Sequence, residues 1–143
     1  MTWSFSKMTG RIIIDKLVKS KVYKVIKSMS KITKFEDIIA WQKATDFALK
    51  IYKVFSVNKD YSFKDQIQRA AISVSNNIAE GYERMGDKEF KKFLYIAKGS
   101  CAEVRSMLYI ALELNYLTKI RFNELYYLSV EISKLLSGFI KTL

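Results

Sequence analysis

A row of basic and aromatic side chains recurs in the second half of the chain. Its members are separated by three or four residues, so a helix would bring them to one face. The row consists of Lys88, Lys91, Tyr95, Lys98, Ala102, Arg105 and Tyr109. Lysine and arginine neutralise phosphates, and tyrosine stacks on exposed bases. Three interpretations remain open: a nucleic-acid surface, a solvated face whose lysine stems cover apolar neighbours, and a dry subunit interface.

Arg84 and Lys92 lie close to this row in the sequence and carry the same charge. A nucleic-acid surface here would use its cations and its first tyrosine. The candidate nucleic-acid-binding residues are Arg84, Lys88, Lys91, Lys92, Tyr95, Lys98 and Arg105.

Catalytic chemistry is poorly represented in the composition. The chain has no His, which removes the usual general base and the histidine-ligated metal sites, and its single Cys permits neither an internal disulfide nor a Cys cluster for zinc. No Gly-rich phosphate loop is present, and Glu80 and Glu83 lie among basic residues where pairing or solvation is expected. We therefore expect that the protein is not an enzyme and has no catalytic residue. We also expect that it binds no metal, no cofactor and no small-molecule substrate.

The net charge of +11 over 143 residues is unevenly distributed. Residues 1–28 hold seven basic residues and one acid, while residues 29–143 contribute only +5. Apolar residues recur at helical spacing among the lysines of this first segment, as in an amphipathic basic helix. We predict that residues 1–30 are a basic extension, helical or disordered, and that deletion of residues 1–28 leaves the fold intact. A membrane-surface or nucleic-acid arm is the alternative.

Neither a secretory signal nor a membrane span is expected. Charges interrupt every apolar run before it reaches the length that either segment needs. A cytoplasmic location, without membrane association, is the expectation.

Four amphipathic segments predict an all-α fold within residues 31–143. The chain has no Pro and only five Gly, which favours long helices. The predicted helices span about 36–55, 63–84, 88–114 and 119–142, with Ser62 and Thr118 as N-caps. Short connections place consecutive helices antiparallel, so we predict an up-down-up-down four-helix bundle.

The third helix carries two apolar rows, which predicts that neighbours cover it on two sides. The first row is Phe90, Leu94, Ala97, Cys101, Val104, Leu108 and Ala111, and the second is Phe93, Ile96, Ser100, Met107, Ile110 and Leu114. The position of Cys101 within the first row predicts a buried thiol that is not a nucleophile.

Small and polar residues interrupt the second and third helices. Ser73, Ser75, Asn76 and Asn77 form a run of poor helix formers, typical of a buried polar network or an interface, or of a surface without packing demand. Gly99 and Ser100 would allow close helix approach or a kink.

Three blocks resemble a bacterial family of small helical bundles. They are FEDIIAWQKA (35–44), QIQRAAISVSNNIAEGYER (66–84) and KEFKKFLYIAKGSCAEVRSML (88–108). The family includes proteins encoded in intervening sequences of large-subunit ribosomal RNA genes and the accessory variability proteins of diversity-generating retroelements. The residues do not separate these branches, and we favour the ribosomal branch as the larger group. Arg105 stands where family members commonly have an acid, and it completes the basic row.

The resemblance implies a four-helix bundle that is not an enzyme. In the retroelement branch it implies a homopentameric ring with a basic surface that binds nucleic acid and partners a reverse transcriptase. Our leading hypothesis is a non-enzymatic, oligomeric protein that binds RNA or DNA. The alternative is a protein-interaction scaffold or an accessory subunit for an enzyme such as a reverse transcriptase.

Overall fold

The computed structural model describes residues 32–143, and residues 34–143 form one compact unit. Its α-helices are α1 (Ile39–Val54), α2 (Tyr61–Glu83), α3 (Asp87–Glu113) and α4 (Lys119–Ile140). A 3-10 turn, Phe35–Asp37, precedes α1. The predicted all-α, four-helix fold is thus confirmed. The predictions for residues 1–30 lie outside the described residues.

Each helix packs against two others. α1 contacts α2 and α4, and α3 contacts the same two helices, so α1 lies diagonal to α3. Connections of three to six residues reverse the chain direction between successive helices. Two ion pairs show that α1 and α4 run antiparallel, since Lys43 pairs with Glu131 and Lys50, two turns later, pairs with Glu124.

The core is filled by the apolar faces that the periodicity predicts. Every helix contributes side chains that are almost completely excluded from water, and burial of each stabilises the fold by roughly 1.5–3 kcal/mol. The largest are Phe47, Ile51, Phe55, Ile67, Val74, Ile78, Leu94, Val104, Leu108, Leu125, Ile132 and Leu136.

The N-terminus of α2 differs from the prediction of a Ser62 cap. Asp60 is the N-cap, and its Oδ1 accepts a hydrogen bond from the Phe63 amide at 3.2 Å. Ser62 lies inside the first turn and is exposed. Asp60 occupies the cap because its other carboxylate oxygen accepts a hydrogen bond from the Tyr116 hydroxyl at 2.7 Å. That hydrogen bond raises the pKa of Tyr116.

The remaining helix ends follow ordinary backbone rules. Gly86, at φ +88°, separates α2 from α3. Asn115, at φ +57°, ends α3 in a Schellman motif, in which the Tyr116 amide donates to the Ala111 carbonyl at 2.8 Å. Thr118 caps α4 through its side-chain oxygen, which accepts from the Arg121 amide, and this confirms the predicted cap.

The second apolar row of α3 is covered only in part. Met107 is buried and Phe93 is half-buried, both on the side that faces α2, whereas Ile96, Ile110 and Leu114 are exposed. The predicted coverage on two sides is therefore wrong for these three residues. Among the helices of residues 32–143, α3 packs against two, and the row turns away from α2 towards solvent.

The polar run on α2 forms a network with α3. The Ser73 and Ser100 hydroxyls lie 2.9 Å apart, and the Asn77 amide donates to the Ser73 carbonyl at 2.7 Å and to the Ser73 hydroxyl at 2.9 Å. The prediction of a polar network is thus confirmed for these residues. Ser75 donates within its own helix, and Asn76 is exposed.

Candidate nucleic-acid interface

The basic row lies along the solvent side of α3. Lys88 and Tyr95 are exposed, and Lys91, Lys98 and Arg105 are half-buried. The last three recur every seven residues, so they are spaced about 10.5 Å apart along the axis of an α-helix. The structure therefore brings five of the seven candidate residues onto one side of α3.

The cations of this side carry uncompensated charge. Within residues 32–143, no carboxylate lies within 4.0 Å of the amino groups of Lys88, Lys91 and Lys98 or of the Arg105 guanidinium. Between Lys88 and Tyr109 the only acids of α3 are Glu89 and Glu103. Both lie, by helical register, on the side that carries Phe93 and Ser100 and faces α2.

Arg84 does not join this surface. It caps the C-terminus of α2, where its Nη2 pairs with Glu80 Oε1 at 2.7 Å and its guanidinium lies 5.3 Å from the Phe93 ring centre. The Glu80 carboxylate, through its hydrogen bond, raises the pKa of Arg84. Lys92 is exposed and unpaired among the described residues, but it points 100° round the helix from Lys91.

α4 runs antiparallel beside the basic row. Phe90 contacts Phe139 at 5.2 Å between ring centres, and the Cys101 thiol donates to the Ser129 carbonyl at 3.2 Å. At the other end of the row, Tyr109 lies 5.1 Å from Phe122. These contacts place the row at the edge of the α3–α4 packing seam.

α4 adds cations and aromatic rings that are not among the candidate residues predicted from sequence. Its only acids, Glu124 and Glu131, pair with Lys50 and Lys43 of α1 and so face away from α3. The hydrogen bond from Arg121 lowers the pKa of Glu124. Tyr127, Lys134 and Lys141 recur every seven residues on a different side of α4. That spacing is a recognisable helical signal, obscured in sequence by the apolar residues between them.

The composite surface is called the α3–α4 face below. Its members are Lys88, Lys91, Tyr95, Lys98, Arg105 and Tyr109 of α3 with Tyr126, Tyr127, Lys134 and Lys141 of α4. By the antiparallel register, Lys134 lies level with Tyr95 and Lys98, and Lys141 lies level with Lys88 and Lys91. Within residues 32–143 no carboxylate lies within 4.0 Å of Lys134 or Lys141. The face thus carries cations on both helices.

Aromatic rings form a cluster at one end of this face. Tyr126 stacks on Phe122 at 5.7 Å, meets Tyr109 edge-on at 5.9 Å and meets Tyr127 edge-on at 5.5 Å. Hydrogen bonding with Tyr126 raises the pKa of Tyr109. The Tyr109 hydroxyl therefore stays neutral at physiological pH and adds no negative charge to the face.

Reactive groups are sparse in the described part of the chain. Burial raises the pKa of the Cys101 thiol to about 11, and the side chain is fully buried in the core, which confirms the predicted buried thiol. Within residues 32–143, no three His, Cys, Asp or Glu side chains cluster as metal ligands. In the same residues, no helix is long and apolar enough to cross a membrane.

Comparisons with known proteins connect this geometry to a family. The model of the 23S rRNA-intervening sequence proteins matches residues 36–138. A crystal structure of a protein of unknown function from the S23 ribosomal protein family of Bacteroides thetaiotaomicron is similar, with 28% identity and a TM-score of 0.68. The similarity covers 72% of this chain and 99% of that protein. No curated protein matches the chain.

Proposed function

Because the chain belongs to the family of 23S rRNA-intervening sequence proteins, we propose that it is a non-enzymatic, cytoplasmic, oligomeric protein that binds nucleic acid through the α3–α4 face. The observation that carries the proposal is the row of cations on α3, which has no carboxylate partner in the described residues. Unpaired cations on one surface attract phosphates and release the counterions bound to them. The family name, which refers to an RNA gene, is consistent with such a partner.

The position of the charge supports this proposal more strongly than its total. Residues 29–143 have a net charge of only +5, a modest excess for a polyanion-binding domain. On α4, however, both acids pair with lysines of α1, and the two acids of α3 between Lys88 and Tyr109 lie on the side that carries Phe93, so the lysines are left on the shared outer face. Asp87 and Glu113 lie in the register of the row only at the two ends of α3. A phosphate backbone lying along this face would meet cations that have no carboxylate partner within 4.0 Å in residues 32–143.

The test is binding of labelled RNA and DNA at two or more salt concentrations. We expect binding at low salt that weakens as salt rises, with a logarithmic slope near 0.7 to 0.9 for each phosphate neutralised. The double variant Lys91→Glu, Lys98→Glu should weaken binding at least tenfold and lower the slope by about 1.4 or more. Absence of binding at low salt, or binding that ignores salt, would contradict the proposal.

A matched control has the same change of charge elsewhere. Lys53, in the last turn of α1, and Lys59, in the α1–α2 connection, are exposed and lie off the α3–α4 face. The double variant Lys53→Glu, Lys59→Glu should retain most of the affinity of the wild type for RNA and DNA. An equal loss in the control would mean that net charge alone, without a defined face, governs binding.

A protein-interaction scaffold is the second candidate function. The observation in its favour is the exposed part of the second apolar row, Ile96, Ile110 and Leu114. These side chains suit contact with another subunit or with a partner such as a reverse transcriptase. Ile96→Asp with Ile110→Asp should then lower the oligomer mass in light scattering, and the family resemblance suggests a pentamer. If the variant keeps both the oligomer mass of the wild type and its binding to such a partner, this candidate function is contradicted.

A further inference from the structure

We propose that the α3–α4 face prefers single-stranded nucleic acid to duplex because its tyrosines stack on unpaired bases. This inference rests on the proposed function and narrows its ligand. It starts from three rings on the face that remain open to water. The exposed fractions are 55% for Tyr95, 51% for Tyr109 and 68% for Tyr127.

Two of these rings, Tyr95 and Tyr109, lie beside a cation. Tyr95 lies one helical turn from both Lys91 and Lys98, and Tyr109 lies one turn beyond Arg105. A single strand can offer a phosphate to the cation and the flat face of its base to the neighbouring ring. In a duplex the base faces are covered by their stacked neighbours, so the rings would gain no partner.

The tyrosine cluster is ordered before any ligand arrives. Tyr109 packs edge-on against Phe122 and Tyr126, and Tyr127 packs edge-on against Tyr126. Rings held in place by their neighbours lose little side-chain entropy on binding, so more of the stacking energy remains as affinity.

The spacing of the rings fits a short strand. Fourteen residues separate Tyr95 from Tyr109, which corresponds to about 21 Å along an α-helix. A stacked strand rises about 3.4 Å per nucleotide, so about six nucleotides span the two rings. A strand of 12 nucleotides would cover the face with several bases to spare.

The packing of α3 disfavours base readout in a duplex. A major groove about 12 Å wide accepts one helix, but α3 is flanked closely by α2 at Ser73 and by α4 at Ser129. Neighbouring helices lie 8–10 Å apart, so they would collide with the groove walls. A duplex could therefore contact only the cations, through its phosphates.

The experiment compares three ligands with the full chain at one moderate salt concentration, where affinities fall within the measurable range. They are a 12-nucleotide single strand, a 12-base-pair duplex and a 12-unit abasic strand, each prepared as DNA, with the first two also as RNA. The abasic strand keeps the phosphates and removes the stacking surface. We expect the wild type to bind the ordinary single strand at least tenfold more tightly than the other two, since one stacked base contributes roughly 5- to 150-fold.

The variants assign that preference to the rings. Tyr95→Leu with Tyr127→Leu removes two of the three exposed rings and should weaken single-strand binding at least fivefold, while the affinity for the abasic strand stays unchanged. Tyr61→Leu is the control, because Tyr61 is 71% exposed and lies on α2, which makes no contact with α4. Circular dichroism melting verifies that each variant is folded.

The outcomes separate this inference from the proposed function. If the wild type binds duplex or abasic strand as tightly as the ordinary strand, with normal salt dependence, the inference is overturned and the proposed function stands. A single-strand preference that is undiminished in the double tyrosine variant also overturns it. Binding of none of the three ligands at low salt would overturn both.

Discussion

Gly81 of α2 lies against Phe93 of α3 so closely that a Cβ atom at position 81 would come within 2.5 Å of the Phe93 Cβ. Gly81 is buried, and Phe90 also approaches it, at 3.0 Å. The missing side chain sets the separation of the two helices one turn before the Arg84 cap. It also fixes the side of α3 that faces α2, and hence the opposite side, which carries the basic row.

Substitution of Gly81 by alanine should destabilise the bundle. The added methyl group would force α2 away from α3, and overpacking of this kind costs roughly 1–3 kcal/mol, partly offset by the better helix propensity of alanine. Urea denaturation measures the effect. Gly99→Ala is the matched control, because no atom beyond the adjoining backbone of its own helix lies within 4 Å of a Cβ at that position. The control should be neutral or stabilising by up to about 1 kcal/mol, and equal effects at both sites would refute the close approach.

The finding at Gly99 corrects the expectation from sequence. Gly99 and Ser100 suggested a place where helices approach closely or kink, yet Gly99 is exposed and α3 continues through it from Asp87 to Glu113. Only Ser100 contacts α2, through its hydroxyl. The glycine at the true close approach is Gly81, which a single sequence does not distinguish from any other helical glycine.

Substitution of Asp60 by alanine should cost more than substitution of Ser62. Asp60→Ala removes the N-cap of α2, worth roughly 0.5–2 kcal/mol, and also the acceptor of the Tyr116 hydroxyl. Ser62→Ala replaces an exposed residue in the first turn by a better helix former and should be neutral within about 0.5 kcal/mol. Thermal melting of the two variants gives the comparison. A larger loss for Ser62→Ala would mean that Ser62 is the working cap.

The hydroxyl contact between Ser73 and Ser100 should appear as a coupling energy in a double-mutant cycle. The single variants Ser73→Ala and Ser100→Ala each remove the contact, so their effects on stability should be non-additive by roughly 0.5–1 kcal/mol. Ser106, which is exposed on α3, provides the control partner. Ser73→Ala combined with Ser106→Ala should be additive within about 0.3 kcal/mol. Additivity in both cycles would show that the contact does not stabilise the fold.

The fold was readable from sequence because apolar periodicity carries it. Residues such as Leu94, Cys101 and Leu108 recur at helical spacing and are fully buried, and the absence of Pro leaves each helix uninterrupted. Helix ends were less readable. Asp60 and Ser62 are both good caps, and the choice between them depends on Tyr116, which is 56 residues away.

The candidate site was readable only in its α3 half. The row from Lys88 to Arg105 is contiguous in helical register, whereas Lys134 and Lys141 join it only when α4 packs alongside. Proximity in sequence predicts that Arg84 belongs to the row. The turn at Gly86, which separates α2 from α3, instead leaves Arg84 at the end of α2, where it pairs with Glu80. Such assignments depend on tertiary packing, which spacing along one chain does not encode.

The buried thiol of Cys101 should make the free energy of unfolding decrease as the pH rises above 9. Its pKa in the folded state is about 11, above the ordinary value of 9.0, because burial disfavours the thiolate. The unfolded chain therefore releases this proton first. The contribution of the protonated Cys101 thiol to the free energy of unfolding is fully present below pH 9. It is lost as the pH rises towards 11, and the loss amounts to roughly 2–3 kcal/mol.

The measurement is the free energy of unfolding from pH 7 to 10.5 for the wild type and for Cys101→Ala. Tyrosines and lysines titrate in both proteins, so their effects cancel in the difference, and the wild type alone should show the additional decline above pH 9. In parallel, a thiol reagent at pH 8 should modify Cys101 only after denaturant is added, because the side chain is inaccessible in the folded state. Identical pH profiles for the two proteins, or rapid modification of the folded wild type, would contradict a Cys101 thiol that is buried where α3 packs on α4 and donates to the Ser129 carbonyl.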